Sequence, residues 1–226
     1  MAHNNFKNFK MRNKSLLLTV VILNIALCSL AQVAGTFKDS RDGKTYKTVK
    51  IGTQTWLANN LAFKASSGCY EYDNNKANAA IFGYLYTWET AKKVCPAGWH
   101  LPSIADWTTL ITSAGGEKTA GNKLKEAGSK HWADPNTGAT NESGFTALPG
   151  GARQEDGQFT RINVNGNWWT SDVRVMKENG SGPSKPYSQG IEMSGEPDYP
   201  IEINSMVNTS LNNKERSYSV RCIKNN

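Results

Sequence analysis

Two predicted loops, His131–Ser143 and Ser194–Asn204, combine aromatic side chains with carboxylates and amides. Indole and phenol rings offer flat apolar faces on which a sugar can stack, while the polar groups beside them can hydrogen-bond. Loops carried by a rigid scaffold are a common place for binding residues. If the two loops lie close together, they predict a shallow site for a glycan or a surface protein; otherwise the same rings belong to the rim of the core. The predicted ligand-binding residues are Trp132, Asp134, Asn136 and Tyr199.

Catalytic chemistry finds little support in the sequence. His100 and His131 are the two histidines beyond the N-terminal segment, and no Ser/His/Asp order, paired-carboxylate spacing or HExxH helix accompanies them. His100 lies between Trp99 and Leu101 in a turn, where a structural hydrogen bond is the expected role. Gly150-Gly151 is too short for a phosphate-binding loop. We therefore predict no catalytic residue and no enzyme activity.

Residues 1–31 have the pattern of a secretory signal peptide. A basic segment ending at Lys14 precedes the apolar run Leu16–Leu30, and small residues predict cleavage after Ala31. About 15 apolar residues are few for a membrane helix, which needs roughly 20. An uncleaved N-terminal anchor is one alternative. A lipoprotein attached through Cys28 is another, although the preceding residue is bulky where lipoprotein signals have a small one.

The charge of the chain changes when this signal is removed. Cleavage takes away four basic residues and no acidic one, so the formal net charge falls from +7 to +3. Such a surface does not predict nucleic-acid binding, and we expect no integral membrane span after cleavage. Residues 32–226 are enough for one domain with its own core. We predict an exported protein that is secreted, periplasmic or on the cell surface.

The exported chain retains three cysteines, Cys69, Cys95 and Cys222. Disulfides form in oxidising compartments, and an odd number of cysteines there indicates one bridge plus one free or intermolecularly bonded thiol.

The elements that would position these groups are organised around Tyr86–Leu110. Apolar residues from Trp88 to Cys95 recur at helical spacing, and a Pro/Gly turn then stops the helix. Ser103 lies three residues before Asp106, a capping-box pattern that begins a second helix. Helices that carry large indoles need a sheet to cover them. The residues predicted to be buried together are Trp88, Trp99, Leu101, Trp107, Trp169 and Val220.

The rest of the chain predicts strands and turns. Asp42-Gly43 is a hairpin signal, a third short helix is predicted at Ala120–Ala127, and the polar stretch Ala62–Ile81 is predicted to be irregular. The predicted strands are Thr36–Ser40, Thr45–Ile51, Thr55–Leu57, Phe145–Leu148, those around Phe159 and Trp168-Trp169, Tyr187–Met193, Ile201–Val207 and Tyr218–Ile223.

Six ordered blocks resemble the Fibrobacter succinogenes major paralogous domain family, and the similarity covers nearly all of Thr36–Lys224. The resemblance implies an exported bacterial protein, often a lipoprotein, and no particular activity. Relatives often have a second cysteine near residue 79, which is absent here, so Cys69 is expected to be unpaired. The blocks are DGKTYKTVKIGTQTWLANNL, FGYLYTWETAKKVCPAGWHLPSIADWTTL, GNKLKEAG, NESGFTALPGGAR, WWTSD and YSVRC.

The order of tryptophans and cysteines also resembles the C-type-lectin-like fold. That resemblance implies an α+β fold in which short helices pack on a twisted antiparallel sheet with long loops. It also implies a disulfide from the helix-end Cys95 to Cys222 in the last strand. Calcium-dependent lectins of this fold use an acid-Pro-Asn/Asp tripeptide, which Glu196-Pro197-Asp198 matches with oxygen ligands suited to calcium. The second half of that motif is missing at Asn204-Ser205, so a plain acidic turn is the competing interpretation.

Gly166–Asp172 and the terminal Val-Arg-Cys faintly resemble formylglycine-generating, sulfatase-modifying enzymes. Those enzymes need two nearby reactive cysteines, whereas here Cys222 is expected in a disulfide and Cys69 is left alone. The sequence therefore predicts a non-enzymatic binding or adhesion module, with carbohydrate as the expected ligand class and the sulfatase-modifying type of enzyme as the alternative.

Overall fold

The computed structural model describes residues 34–177, 184–195 and 207–226. These residues form an α+β fold of two mostly antiparallel sheets and four short helices, which confirms the predicted fold class. The helices are α1 (Lys76–Phe82), α2 (Trp88–Val94), α3 (Ile104–Ser113) and α4 (Ala120–Leu124). The strands are β1 (Ala34–Lys38), β2 (Thr45–Ile51), β3 (Gln54–Leu57), β4 (Cys69–Tyr70), β5 (Leu85–Thr87), β6 (Trp99–His100), β7 (Gly150–Arg153), β8 (Phe159–Ile162), β9 (Asn165–Lys177), β10 (Ser184–Ser194), β11 (Val207–Asn212), β12 (Ser217–Tyr218) and β13 (Ile223–Lys224).

The first sheet has the strand order β1-β2-β3-β13-β6. The predicted hairpin between β1 and β2 is confirmed: Gly43, at φ 75°, allows the turn, and its N–H donates to Asp39 O at 2.8 Å. Ile223 pairs with Trp56 of β3 on one side and with His100 of β6 on the other. The end of the described chain therefore lies in the interior of a sheet whose other strands come from residues 34–100.

The second sheet runs β11-β10-β9-β7-β12-β5-β4, with β8 paired to β7. Its longest ladder is the antiparallel pair β9 and β10, which contains a register shift between Ser188 and Gly190. The predicted strand Tyr218–Ile223 is interrupted, since β12 belongs to this sheet and β13 to the first. Between them the backbone crosses from one sheet to the other, and Val220 O accepts from Leu61 N at 2.8 Å.

The two predicted central helices are confirmed as α2 and α3. Ser103 Oγ accepts from Asp106 N at 3.1 Å, and Asp106 Oδ2 accepts from Ser103 N at 2.8 Å, which completes the capping box of α3. Asp172 of β9 adds a third contact, because its Oδ2 accepts from Ile104 N at 2.6 Å. The N-terminus of α3 is thereby tied to the second sheet.

Other predicted boundaries were wrong for identifiable reasons. The third helix ends at Leu124 rather than Ala127 because Lys125 is extended and bridges Ala147. The predicted strand Phe145–Leu148 reduces to that one bridge, since Thr146 has a positive φ of 54° and breaks the extended backbone.

The stretch predicted to be irregular, Ala62–Ile81, contains β4 and most of α1. Asn75 caps α1 by accepting from Ala77 N at 2.9 Å, and Gly83 ends the helix with φ 77°. Of the predicted strand Ile201–Val207, residues 201–206 lie outside the described residues, and β11 begins at Val207.

All seven tryptophans are buried, and they divide between two apolar clusters. The predicted core residues Trp88, Trp99, Leu101, Trp169 and Val220 share one cluster. Trp107 is also buried, as predicted, but it belongs to the other cluster, where its ring packs against those of Trp56, Phe145 and Trp168.

The disulfide expected from the lectin resemblance is present. Cys95 and Cys222 are bonded, with their Cα atoms 5.9 Å apart, and the bridge closes a chain separation of 127 residues. Cys69 is a free, half-buried thiol in β4. Within the described residues, no helix is both long and apolar enough to span a membrane.

Loss of the bridge should strongly destabilise the fold. Cys222→Ser should lower the free energy of unfolding by about 3–5 kcal/mol, because a bridge across so long a loop restricts the unfolded chain. Urea unfolding of the variant, and of wild type in the presence of a reductant, measures this loss. Cys69→Ser is the matched control, and an equal loss there would contradict the assignment of the stabilising bridge.

Truncation of Trp107 should show how much the first cluster depends on one indole. Trp107→Ala should cost about 3–5 kcal/mol, because the side chain is fully buried among three aromatic rings. Chemical unfolding measures the cost. Val175→Ala, at an exposed apolar residue of β9, should change stability by about 0.5 kcal/mol or less; similar small effects for both variants would show that the indole contributes no packing.

Candidate functional site

The loop His131–Ser143 uses its predicted binding residues mainly to fix itself to the core. Trp132 is only 1% exposed, and its Nε1 donates to Ala147 O at 2.9 Å. The backbone of Gly195 packs closely on the ring, since a Cβ atom added to this residue would lie only 2.6 Å from the indole. A buried indole in this position has no open face on which a sugar could stack.

The other two predicted residues of this loop differ in exposure. Asn136 is buried, and its Nδ2 donates to Glu126 O at 2.9 Å and Gly128 O at 2.7 Å. His131 Nδ1 lies 2.8 Å from a carboxylate oxygen of Glu126, which holds the start of the loop. Asp134 is exposed. Of the three loop residues predicted to bind, only Asp134 is directly accessible.

Most of the second predicted loop lies outside the described residues. Tyr199 and the predicted calcium ligands Glu196 and Asp198 lie outside the described residues. Over the ranges that are described, no three His, Cys, Asp or Glu side chains are grouped in a way that could hold a metal ion.

His100 and Cys69 have ordinary surroundings. His100 Nδ1 lies 2.7 Å from Asn225 Oδ1, a structural hydrogen bond of the kind predicted. Burial raises the pKa of the Cys69 thiol, which favours the protonated and less nucleophilic form.

A buried guanidinium joins the end of β3 to the segment around Phe145. Arg221 Nη1 donates to Leu57 O at 3.1 Å and Phe145 O at 2.6 Å, while Nη2 donates to Asn60 Oδ1 at 3.0 Å and Thr146 O at 3.1 Å. Burial lowers the pKa of Arg221 to about 9. Backbone carbonyls and one amide therefore solvate this charge, and no carboxylate of the described residues contacts it.

A second buried cation lies beside Trp132. Lys125 is fully buried, its Nζ donates to Ser194 O at 3.1 Å, and the same ammonium lies 5.0 Å from the centre of the Trp132 ring. Burial lowers the pKa of Lys125 to about 8. The surroundings therefore disfavour the charged form, and the lysine has a structural position rather than a place in an open site.

The clearest ligand-sized concavity is a cleft between the start of β2, the segment after β3, and α1. We call it the Tyr84 cleft; its volume is about 410 Å³, within the roughly 300–1,000 Å³ of small-molecule sites. Gly83 forms its floor at φ 77°, and a Cβ there would approach Leu61 O to 2.6 Å, so only glycine fits. The polar residues that line the cleft are Lys44, Thr45, Tyr46, Asn59, Asn60, Lys76 and Tyr84.

Several of these polar groups have no partner in the described part of the chain. The Tyr84 hydroxyl makes no hydrogen bond there, and burial raises its pKa, so the phenol stays neutral and can donate or accept. Asn59 Oδ1 accepts from Lys47 N at 2.9 Å, which leaves its Nδ2 as an unused donor. Lys76 has no hydrogen bond or ion pair with the described residues.

The floor of the cleft is rigid by contrast. Asn60 Nδ2 donates to Phe82 O at 2.8 Å, and its Oδ1 accepts from Trp168 Nε1 at 2.9 Å as well as from Arg221. Tyr46 Oη accepts from Ala62 N at 3.1 Å. A fixed floor with unused donors around it is suited to binding a polar molecule.

A second concavity adjoins the first. We call it the Phe63 groove; it lies between the segment after Ala62 and α2 and has a volume of about 630 Å³. The Arg41 guanidinium stacks 3.8 Å from the centre of the Phe63 ring, and its Nη1 donates to Val94 O at 2.8 Å. The groove is lined by Arg41, Phe63, Lys64, Glu89, Thr90 and Lys93, among others.

Sequence reasoning missed both concavities. The Tyr84 cleft is made by residues about forty positions apart, and one wall is α1, which was predicted to be irregular. The helix signals were nevertheless present, because Asn75 is a favourable N-cap and Gly83 a favourable helix end. Recognition of those two residues as helix ends would have placed Lys76 at the start of a helix and not in a loop.

The fold and its surface define an α+β domain that one disulfide closes and that presents two adjoining polar concavities. The family model of the Fibrobacter succinogenes major domain matches residues 49–224, which is most of the chain. The chain therefore belongs to the Fibrobacter succinogenes major domain family. A search of the curated proteins and a search of the solved structures each found no match.

The pKa of Lys125 predicts a stability that rises with pH. The folded protein releases this proton near pH 8 and the unfolded chain near 10.5. Between these values the unfolded state binds more protons, so the free energy of unfolding increases by up to about 1.4 kcal/mol per pH unit. Lys125→Met should be about 1–3 kcal/mol more stable than wild type near pH 7. The free energy of unfolding of this variant should depend less on pH than that of wild type between about pH 8 and 9.5.

Urea unfolding at a series of pH values tests this expectation. The series should end below the range where buried tyrosines titrate, since the pKa of Tyr46 is raised to about 12 and its effect on stability has the opposite sign. Lys130→Met, at an exposed lysine, is the control and should follow wild type. Parallel profiles for wild type and Lys125→Met would show that Lys125 is not the group responsible.

Proposed function

We propose that this protein is an exported, non-enzymatic module that binds carbohydrate through the Tyr84 cleft. One observation carries the proposal: the rigid cleft holds a phenol hydroxyl, an amide N–H₂ and an ammonium that the described residues leave unused. Sugars present a dense array of hydroxyls, each of which can accept and donate. Unused donors around a fixed floor match that chemistry, since few groups must be reorganised on binding.

The ring of Tyr84 supplies the apolar part of such a site. Tyr84 as a whole residue is 8% exposed, and Ile81 at the rim is an exposed apolar residue. Amphipathic rings of this kind are enriched where one side of a ligand is apolar and the other is wet. All seven tryptophans are buried, so within this family member tyrosine, not tryptophan, would provide the contact surface.

The state of the cysteines favours binding over the sulfatase-modifying type of enzyme. That chemistry, as the resemblance implies it, requires two reactive cysteines close together. Cys222 is bonded to Cys95, and Cys69 is a half-buried thiol whose pKa is raised. The same disulfide supports an oxidising, extracytoplasmic location. The predicted signal peptide at residues 1–31 is part of this proposal, as is the lectin-like character of the fold.

Two conservative substitutions test the cleft. Tyr84→Phe removes only the hydroxyl, and Asn59→Asp keeps the Oδ1 acceptor of the Lys47 N–H while replacing the unused donor. Each lost hydrogen bond is worth about 0.5–1.5 kcal/mol, so affinity for the best glycan found on an array should fall about two- to tenfold. Titration calorimetry with that glycan measures the change.

Tyr70→Phe is the matched control, because this half-buried tyrosine lines neither concavity. It should bind as wild type does. Unchanged affinity in both cleft variants would exclude the Tyr84 cleft as the site, and hydrolysis or oxidation of the glycan during the titration would contradict a non-enzymatic role.

A further inference from the structure

The Tyr84 cleft and the Phe63 groove are neighbours along a single stretch of backbone. Ala62 lines the cleft and Phe63 lines the groove. Of the residues in the β1–β2 turn, Lys44 lines the cleft and Arg41 lines the groove. The Lys44 ammonium donates to Ala62 O, and Arg41 packs on Phe63. The two concavities are therefore lined by consecutive residues of one segment, and contacts from the same β1–β2 turn hold that segment in place.

Cations outnumber acids on the linings of both concavities. Lys44 and Lys76 line the cleft, and Arg41, Lys64 and Lys93 line the groove, against Glu89 alone among the acids.

The acids that lie nearby are engaged in ion pairs. Asp39 pairs with Arg41 at 2.6 Å, Asp42 with Lys44 at 3.3 Å, Glu71 with Lys64 at 3.3 Å, and Glu89 with Lys92 at 2.8 Å.

Two lysines make no close ion pair after these pairs are formed. Lys76, the first residue of α1, lines the cleft, and Lys93, in the last turn of α2, lines the groove. Neither makes a hydrogen bond or an ion pair with any residue that the structure describes, although the charge of Lys76 helps to lower the pKa of Glu71 and that of Lys93 helps to lower the pKa of Glu89. Each concavity thus has one ammonium that is not engaged in a direct contact.

We propose that the cleft and the groove together bind one chain of an acidic polysaccharide, with a sugar carboxylate at Lys76 and another at Lys93. This inference rests on the proposed carbohydrate-binding function and adds a ligand class and a second subsite to it. A polymer suits the arrangement because one chain can fill both concavities, so the second contact forms at a high effective concentration. The sugar hydroxyls would meet the Tyr84 hydroxyl and the Asn59 amide, and the carboxylates would meet the two ammonium groups.

Oligogalacturonates of increasing length test the proposal by titration with the full chain at low ionic strength. A disaccharide should occupy one subsite, and affinity should rise by about tenfold or more once the oligomer is long enough to reach both. The methyl ester of the long oligomer should bind roughly tenfold more weakly, because a charge-assisted contact becomes neutral at each lysine. Added salt should weaken the acidic oligomer more than the ester.

Charge-neutral variants separate the two subsites. Lys76→Gln and Lys93→Gln should each weaken the long oligomer about tenfold, and only Lys76→Gln should weaken the disaccharide. Lys130→Gln, at an exposed lysine outside both concavities, should leave every affinity unchanged. Circular dichroism and thermal unfolding should show that all three variants fold as wild type does.

The possible contrary results are distinguishable. If Lys93→Gln leaves the long oligomer unaffected, the groove is not a subsite. If the methyl ester binds as tightly as the acid, the selectivity for carboxylates is wrong while carbohydrate binding stands. If neither these oligomers nor any glycan on an array binds, the proposed function fails as well.

Discussion

Burial of the Arg221 guanidinium is the constraint that brings distant segments of the chain together in the core. A charge removed from water must find other polar partners or become costly. Here four hydrogen bonds reach backbone carbonyls and an amide that come from two separate parts of the chain, around Leu57–Asn60 and Phe145–Thr146. Its Nε has no partner among the described residues, and its lowered pKa shows that solvation is incomplete. The arginine thus specifies which segments must meet, at a cost that the surrounding aromatic core offsets.

The Tyr84 cleft is rigid because its floor is hydrogen-bonded to this interior. Asn60 accepts from Arg221 and from Trp168 while donating to Phe82 O, so a single amide joins the buried charge, the core and the end of α1. Groups on the other side of the cleft are held less tightly, since Lys76 and the Tyr84 hydroxyl make no hydrogen bond with the part of the chain that the structure describes. A fixed floor beneath adjustable polar groups allows recognition without ordering the backbone on binding.

Local signals in the sequence were sufficient for much of the fold. The Asp42-Gly43 turn and the Ser103 capping box depend on neighbouring residues and were predicted correctly, and resemblance to the C-type-lectin-like fold supplied the cysteine pairing. Features decided by distant contacts were not predictable in this way. Nothing local distinguishes a loop tryptophan on the surface from Trp132, whose burial depends on Ala147 and on strands far along the chain. The cleft escaped prediction for the same reason, because its walls come from separate segments and become adjacent only in the folded state.

The position of β13 between β3 and β6 has a consequence for how the protein can be made. Residues 217–224 supply an inner strand of the first sheet, a pair for β5, Arg221 and one half of the disulfide. Synthesis from the N-terminus delivers these residues after every other strand and helix described. Contacts between residues so distant in sequence form slowly. Before residues 217–224 arrive, the earlier segments lack an inner strand of the first sheet, the pair for β5, the buried guanidinium and one half of the disulfide. Neither sheet can therefore be completed until these eight residues have been made.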